Sequence, residues 1–386
     1  MYVHDVDARV LVLGAGFGGL ELSATLSEVL GARLELTLVD RSDAFVFGGS
    51  KLDILFGRCA PHTVRLPYRT LAKPGVRFRN ETVRSIDPVA RRVTTDTGVL
   101  EADVLVVALG ADDDLDATPG LDRDGHPFYS VAGATEAAQA LARFERGHIV
   151  IGAASGLYKC PPAPSETALL LHEHLVERGI RERCEVSLVL PFELPLPPSH
   201  ATSEALLAAF DAAGIRYVPE RVVRALDPGR HTAVLSDASE LAYDLFLGVP
   251  KHRVPEVVAR SGMVEDGWIP VDRKTLATCY PGVYAIGDVA NVGTPKAGVF
   301  AEGAARTVAA AILSDFTGGT RPDDYEGAGA CYVDFGGGRV GRVELEASHG
   351  PHSKATYLEP SPEIARHRQE FARSRRARWF GVSARA

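Results

Sequence analysis

The chain has little of what would mark a secreted, membrane-spanning or nucleic-acid-binding protein. Five cysteines in 386 residues (Cys59, Cys160, Cys184, Cys279, Cys331) are too few and too scattered for a disulfide scaffold, so a reducing cytoplasm is the expected setting. No apolar run approaches the roughly 20 residues that a bilayer span needs. Residues 1–9 contain no basic stretch followed by an apolar one, and no secretory signal is expected there. Basic residues number 42 against 50 acidic ones, and a formal charge of -8 supplies no face of the kind that phosphate backbones require. A nucleic-acid partner is not expected, and no metal-ligand set is read.

What is present is alternation of strand and helix from the start, the pattern of parallel sheets with crossover helices. Residues 9–13 read as an apolar strand, 14–19 as a glycine turn, 20–30 as a helix and 34–39 as the next strand. A polar, β-rich stretch follows over 76–99, and 103–109 is another buried strand. The acids and Pro119-Gly120 within 111–125 suggest a crossing into a second unit, which opens with a helix over 134–146, a strand over 148–151 and another over 184–190. Residues 241–249 and 283–286 read as strands returning to the first sheet, with a helix over 298–313. From 320 onward a separate segment holds a strand pair around 331–345. The expected fold is α/β, with two Rossmann-like dinucleotide-binding domains, the second inserted in the first, plus a C-terminal segment. The expected boundaries are 1–115 and 247–319 for the first domain, 116–246 for the second and 320–386 for the last segment.

Gly14-Ala15-Gly16-Phe17-Gly18-Gly19 satisfies G-x-G-x-x-G directly after a strand and before a helix. Glycine there permits the tight turn and close backbone approach, and the helix N-terminus faces a pyrophosphate. Asp40, with Arg41 beside it, ends the next strand where a carboxylate can meet ribose hydroxyls. The turn alone does not separate FAD from NAD. Two later segments resemble the second and third signatures of flavoproteins: 106–110, carrying Ala108 and Gly110, and 281–288, carrying Gly287 and Asp288. By that resemblance the bound dinucleotide is FAD, and Asp288 bonds its ribityl chain.

The second unit lacks the matching fingerprint. In Gly152-Ala153-Ala154-Ser155-Gly156-Leu157 the middle glycine is Ala154 and the third position is Leu157, and the next strand ends at Leu190-Pro191 with no acid. NAD chemistry there is doubtful. In its place stands Tyr158-Lys159-Cys160-Pro161-Pro162-Ala163-Pro164. A cysteine beside a lysine, in a proline-stiffened turn near a helix start, is in a setting expected to lower its pKa.

These features, with Ser165-Glu166, Pro295-Lys296-Ala297-Gly298 and Ala330-Cys331-Tyr332-Val333, resemble the sulfide:quinone oxidoreductase and flavocytochrome c sulfide dehydrogenase family. The resemblance covers residues 10–341. It implies a redox pair, Cys160 and Cys331, that takes sulfur from hydrosulfide as a persulfide while the released thiolate reduces the flavin ring, with electrons leaving to a quinone and sulfur released as sulfane sulfur or polysulfide. A small thiol is a further candidate sulfur acceptor. The resemblance also makes Lys296 a cation at the pyrimidine end of the flavin and Glu166 a proton handler; His200 is a weaker base candidate. Many relatives carry a third cysteine after the second signature, and this chain has none between Gly110 and Lys159. Cys59, Cys184 and Cys279 match no position of the family.

Other readings stay open: a type II NADH:quinone dehydrogenase-like enzyme, a thiol or sulfane-sulfur oxidoreductase with a soluble acceptor, and a non-catalytic flavin-bearing electron-transfer subunit. At the end of the chain, six arginines between 366 and 378 precede Trp379-Phe380. They suggest either a basic helix lying on an anionic membrane, with its aromatics at the interface, or a solvated tail. The expected location is cytoplasmic, with peripheral attachment to the inner face of the membrane under the first reading.

Overall fold

A computed structural model describes residues 8–320, 323–346 and 354–381; the reading of the first seven residues as lacking a signal lies outside them. The first sheet runs Val283–Ala285, Val104–Val107, Ala8–Leu13, Leu34–Asp40, Val76–Asn80, all parallel. Its central strand is apolar on both faces because helices cover one and the antiparallel strands Val83–Asp87 and Arg92–Thr95 help cover the other, and Leu11, Val12 and Leu13 are almost wholly buried. The helices Phe17–Leu30 and Gly298–Thr317 lie side by side on one of these faces.

The second sheet repeats the plan: Gly125–Pro127, Leu245–Val249, Gly147–Ala153, Cys184–Val189, Ile215–Val218, again all parallel. Each unit also carries a three-stranded antiparallel meander, Val83–Glu101 in the first and Val223–Ala242 in the second. The strand expected over 241–249 to return to the first sheet instead pairs with Gly147–Ala153 in the second, and the return begins after it. A continuous apolar strand fits the middle of either sheet, so its sequence does not choose between them. The crossings between units are two short antiparallel strands, Asp112–Asp114 and Lys251–Arg253, which set Asp113 opposite His252.

The C-terminal segment is a sheet of three strands rather than a pair: Ala328–Asp334, Val340–Glu346 and Lys354–Ser361. The helix Pro362–Phe380 follows, capped by Ser361, whose hydroxyl accepts from the Ile364 amide. Its two aromatics do not form the exposed end that either reading of the tail expected. Trp379 and Phe380 are buried, with Trp379 edge-on to Phe17 and Phe45, and the Trp379 indole donates to Glu21 at 2.9 Å. Arg378 binds Glu21 and Glu28, and Arg375 binds Glu302. Glu21 and Glu302 are buried acids on the two paired helices, so the arginines answer charges that would otherwise be stranded. The helix face left to solvent is polar, with Glu363, Arg366, Gln369, Glu370 and Arg373. Among the described residues no helix is long and apolar enough to cross a membrane.

Candidate active site

The dinucleotide turn follows from steric necessity. Gly14 sits at φ +100°, and a Cβ there would fall 2.2 Å from the Ala108 carbonyl oxygen, which ties this turn to the strand carrying the second flavin signature. At Gly16 a Cβ would meet no protein atom within 4 Å. Gly16 is also the N-cap of helix Phe17–Leu30 and offers no side-chain cap, so the first amides of that helix point unanswered into open space. Asp40 accepts from the Ala15 and Ser42 amides, and Arg41 pairs with Asp112. A cleft lined by Gly287, Asp288, Pro295, Lys296 and Ala297 among others lies nearby, its lining residue Ala301 adjoining Gly18. An anion-seeking helix end, an open cradle and an adjoining cleft fit FAD. When bound, FAD supplies a two-electron acceptor.

In the first unit only three residues separate the strand Ala8–Leu13 from its helix; in the second, nine separate Gly147–Ala153 from the helix Ala163–Glu177. The longer connection carries Cys160. Its backbone is left-handed, φ +53°, and its amide donates to the Lys296 carbonyl at 2.8 Å, fixing the loop against the edge of the cleft.

The Lys296 ammonium turns elsewhere. It donates to the carbonyls of Asp288 and Ala290 and lies 3.4 Å over the Trp268 ring, and burial pulls its pKa down to about 8.

The expectation of an acidified thiol is corrected. Lys159 adjoins Cys160 in sequence, but its ammonium is held by the Ala111 carbonyl and by Asp113. Burial pushes the Cys160 thiol up, and the charges of Glu166 and Cys331 add to it; Lys51 and Arg368 only partly oppose them. Cys331, in the strand Ala328–Asp334, is pushed up to about 12 by burial and then by Glu166. Both cysteines pack against the same buried cluster. Glu166 is itself raised to about 7 by burial, and its Oε1 accepts from the Asp334 amide at 3.0 Å. Two sulfurs distant in sequence and one carboxyl group thus come within electrostatic reach of one another.

Several neighbours carried no signal that sequence reasoning caught. Burial alone would raise the Asp113 carboxyl, but His252 and Lys159 beside it hold it at about 2. His252 Nε2 lies 3.2 Å from Asp113 Oδ1, a contact without hydrogen-bond alignment. Among the described residues the buried hydroxyls of Tyr129 and Tyr158 meet no hydrogen-bond partner, and both tyrosines feel the charge of Cys160. Lys51 faces Lys159, Asp113, Cys160 and Asp288, and burial takes its pKa to about 8. No local pattern marks Asp113 and His252 as partners, because the two crossing strands are only three residues each. His200 lies apart, exposed at a helix start beside Glu204. Cys184 is buried and donates to the Ile180 carbonyl, Cys279 is exposed, and Cys59 is half-buried.

The sequence model of the pyridine nucleotide-disulphide oxidoreductase family matches residues 8–312. The chain belongs to this family. Family membership, the glycine cradle and the fold agree that it is an FAD-dependent oxidoreductase. Within the pyridine nucleotide-disulphide oxidoreductases it is similar to a sulfide-quinone reductase of Aquifex aeolicus, 27% identical over 85% of this chain and 81% of that one. It is also similar to an alternative NAD(P)H-ubiquinone oxidoreductase of Arabidopsis thaliana, 30% identical over 46% of this chain and 38% of that one. The solved sulfide:quinone oxidoreductase of Aquifex aeolicus superposes with a TM-score of 0.86 at 24% identity, covering 96% of this chain and 91% of that one. At that identity the likeness speaks for the fold.

Proposed function

We propose that the chain oxidises hydrosulfide, using Cys160 and Cys331 as the sulfur relay and FAD to pass the electrons to a quinone. The observation that supports this reading is that Cys160, Cys331 and Glu166 pack against one cluster or feel one another's charge, next to the cleft that Lys296 lines. Hydrosulfide attacks a disulfide or polysulfide bridge between the cysteines, one sulfur becomes a persulfide, and the other leaves as a thiolate. Cys160 is positioned by its bond to the Lys296 carbonyl, and Glu166 is placed to take the proton. The sulfide-quinone reductase of Aquifex aeolicus supports the substrate pair.

The nine-residue connection holding Cys160 where a nucleotide turn would lie argues against NADH as donor. Anaerobic mixing tests the reading. Sulfide is expected to bleach the visible flavin band, NADH is not, and Cys160→Ser is expected to slow bleaching by about 10³-fold or more. Bleaching by NADH but not by sulfide would overturn it.

A further inference from the structure

Glu166 is enclosed from four directions. Its own helix, Ala163–Glu177, starts just beyond Cys160 and also carries Glu173. The strand Ala328–Asp334 brings Cys331 and, three residues on, the Asp334 amide that binds Oε1. The short helix Ser50–Leu55 and the turn after it bring Asp53 and Arg58. The C-terminal helix brings Arg368, whose Nη1 lies 3.0 Å from Asp334 Oδ2 and 3.9 Å from Glu166 Oε1.

The charges do not balance without Arg368. Asp53, Asp334 and Glu166 are three carboxyl groups close together, with two thiols able to ionise beside them. Arg58 is engaged by Glu173 at 2.8 Å and by Asp334 at 3.7 Å. Arg368 is the cation left to face Glu166. It holds one oxygen of that group; among the described residues no hydrogen bond reaches the other, Oε2.

We propose that Arg368 is a positioning residue, which fixes Glu166 near the two sulfurs through Asp334 and keeps its carboxylate ionised until hydrosulfide delivers a proton. This rests on the hydrosulfide reading above. In that step the sulfur of HS⁻ bonds to one cysteine sulfur and the S–S bond breaks. Its electron pair leaves with the second cysteine as a thiolate, and the proton passes to Glu166 Oε2. Two negative charges enter, on HS⁻ and Glu166, and two remain, on the persulfide and the thiolate. The C-terminal helix, 202 positions beyond Glu166, thereby takes part in a proton transfer that its arginine never touches.

The experiment has two arms on the FAD-loaded protein. In the first, the rate of flavin bleaching by sulfide is followed against pH. Arg368→Met is expected to move the acidic limb upward by about one pH unit or more, the effect of removing an opposite charge at this range. Arg368→Lys is expected to restore most of the wild-type profile, and Glu166→Gln to abolish the limb. The second arm needs no sulfide: the infrared carboxyl band of protonated Glu166, assigned by its loss in Glu166→Gln, is expected to persist to higher pH in Arg368→Met.

Wild-type and Arg368→Met profiles that overlay in both arms, at equal FAD content and unfolding temperature, would overturn the role. A band that shifts in a protein whose flavin sulfide never bleaches would uphold the positioning and sink the substrate. Should Arg368→Met fail to fold, Arg368→Gln serves the same comparison.

Discussion

A carboxyl group shut away from water beside two thiols resists ionisation, and Glu166 carries that cost in the folded chain. Its pKa stands at about 7 against 4.5 for a free side chain. Between those values the folded chain keeps a proton that the unfolded chain has lost, so stability falls as pH rises from about 4.5 to about 7 and is level above. The difference amounts to about 3 kcal/mol at 1.36 kcal/mol per pH unit. Glu166→Gln keeps an oxygen for the Asp334 amide and never ionises. Urea unfolding at pH 5 and pH 8 is expected to show the variant gaining up to about 3 kcal/mol on the wild type at the higher pH. At this scale the segments holding Cys160, Cys331 and Glu166 could be singled out in the sequence by their resemblance to a known family, and the structure sets the three within electrostatic reach of one another. The direction of the Cys160 shift was not legible, since a lysine next in sequence was assumed to be next in space. Lys159 faces Asp113, and the cations that reach the sulfur, Lys51 and Arg368, come from remote segments.

Elements were legible wherever period and punctuation sufficed. The helix after the glycine turn and the crossover helices fall within a few residues of their expected bounds. The basic tail was not, because a run of arginines with two aromatics reads alike whether it is solvated, lies on lipid or docks on protein. Docking was decided by Glu21 and Glu302, buried acids far earlier in the chain, which require partners. With Trp379 in the core, Trp379→Ala is expected to cost about 3–5 kcal/mol of stability in thermal or urea unfolding. A helix lying free in solvent or on a membrane would show a change near zero.

For the whole molecule, the repeated strand order let two nucleotide-type folds be read from sequence, while the way they close on each other could not. The groups of the proposed relay come from the inserted unit and the C-terminal sheet, Arg368 that faces them from the C-terminal helix, and the glycine turn from the first domain. That the two thiols would share a space lay beyond local pattern, for 171 positions separate them. The crossing ribbon with Asp113 and His252 was hidden for the same reason: two three-residue strands carry too little periodicity to announce a pairing.

Phe17, within the glycine turn, is packed by a tryptophan near the very end of the chain. The glycine turn is therefore braced from behind only once the C-terminal helix has docked on the first domain. Capture of the flavin is thereby tied to a docking event between two segments remote in sequence. A stop codon placed after Ser361 is expected to yield colourless protein, read directly from the absorbance of the purified product.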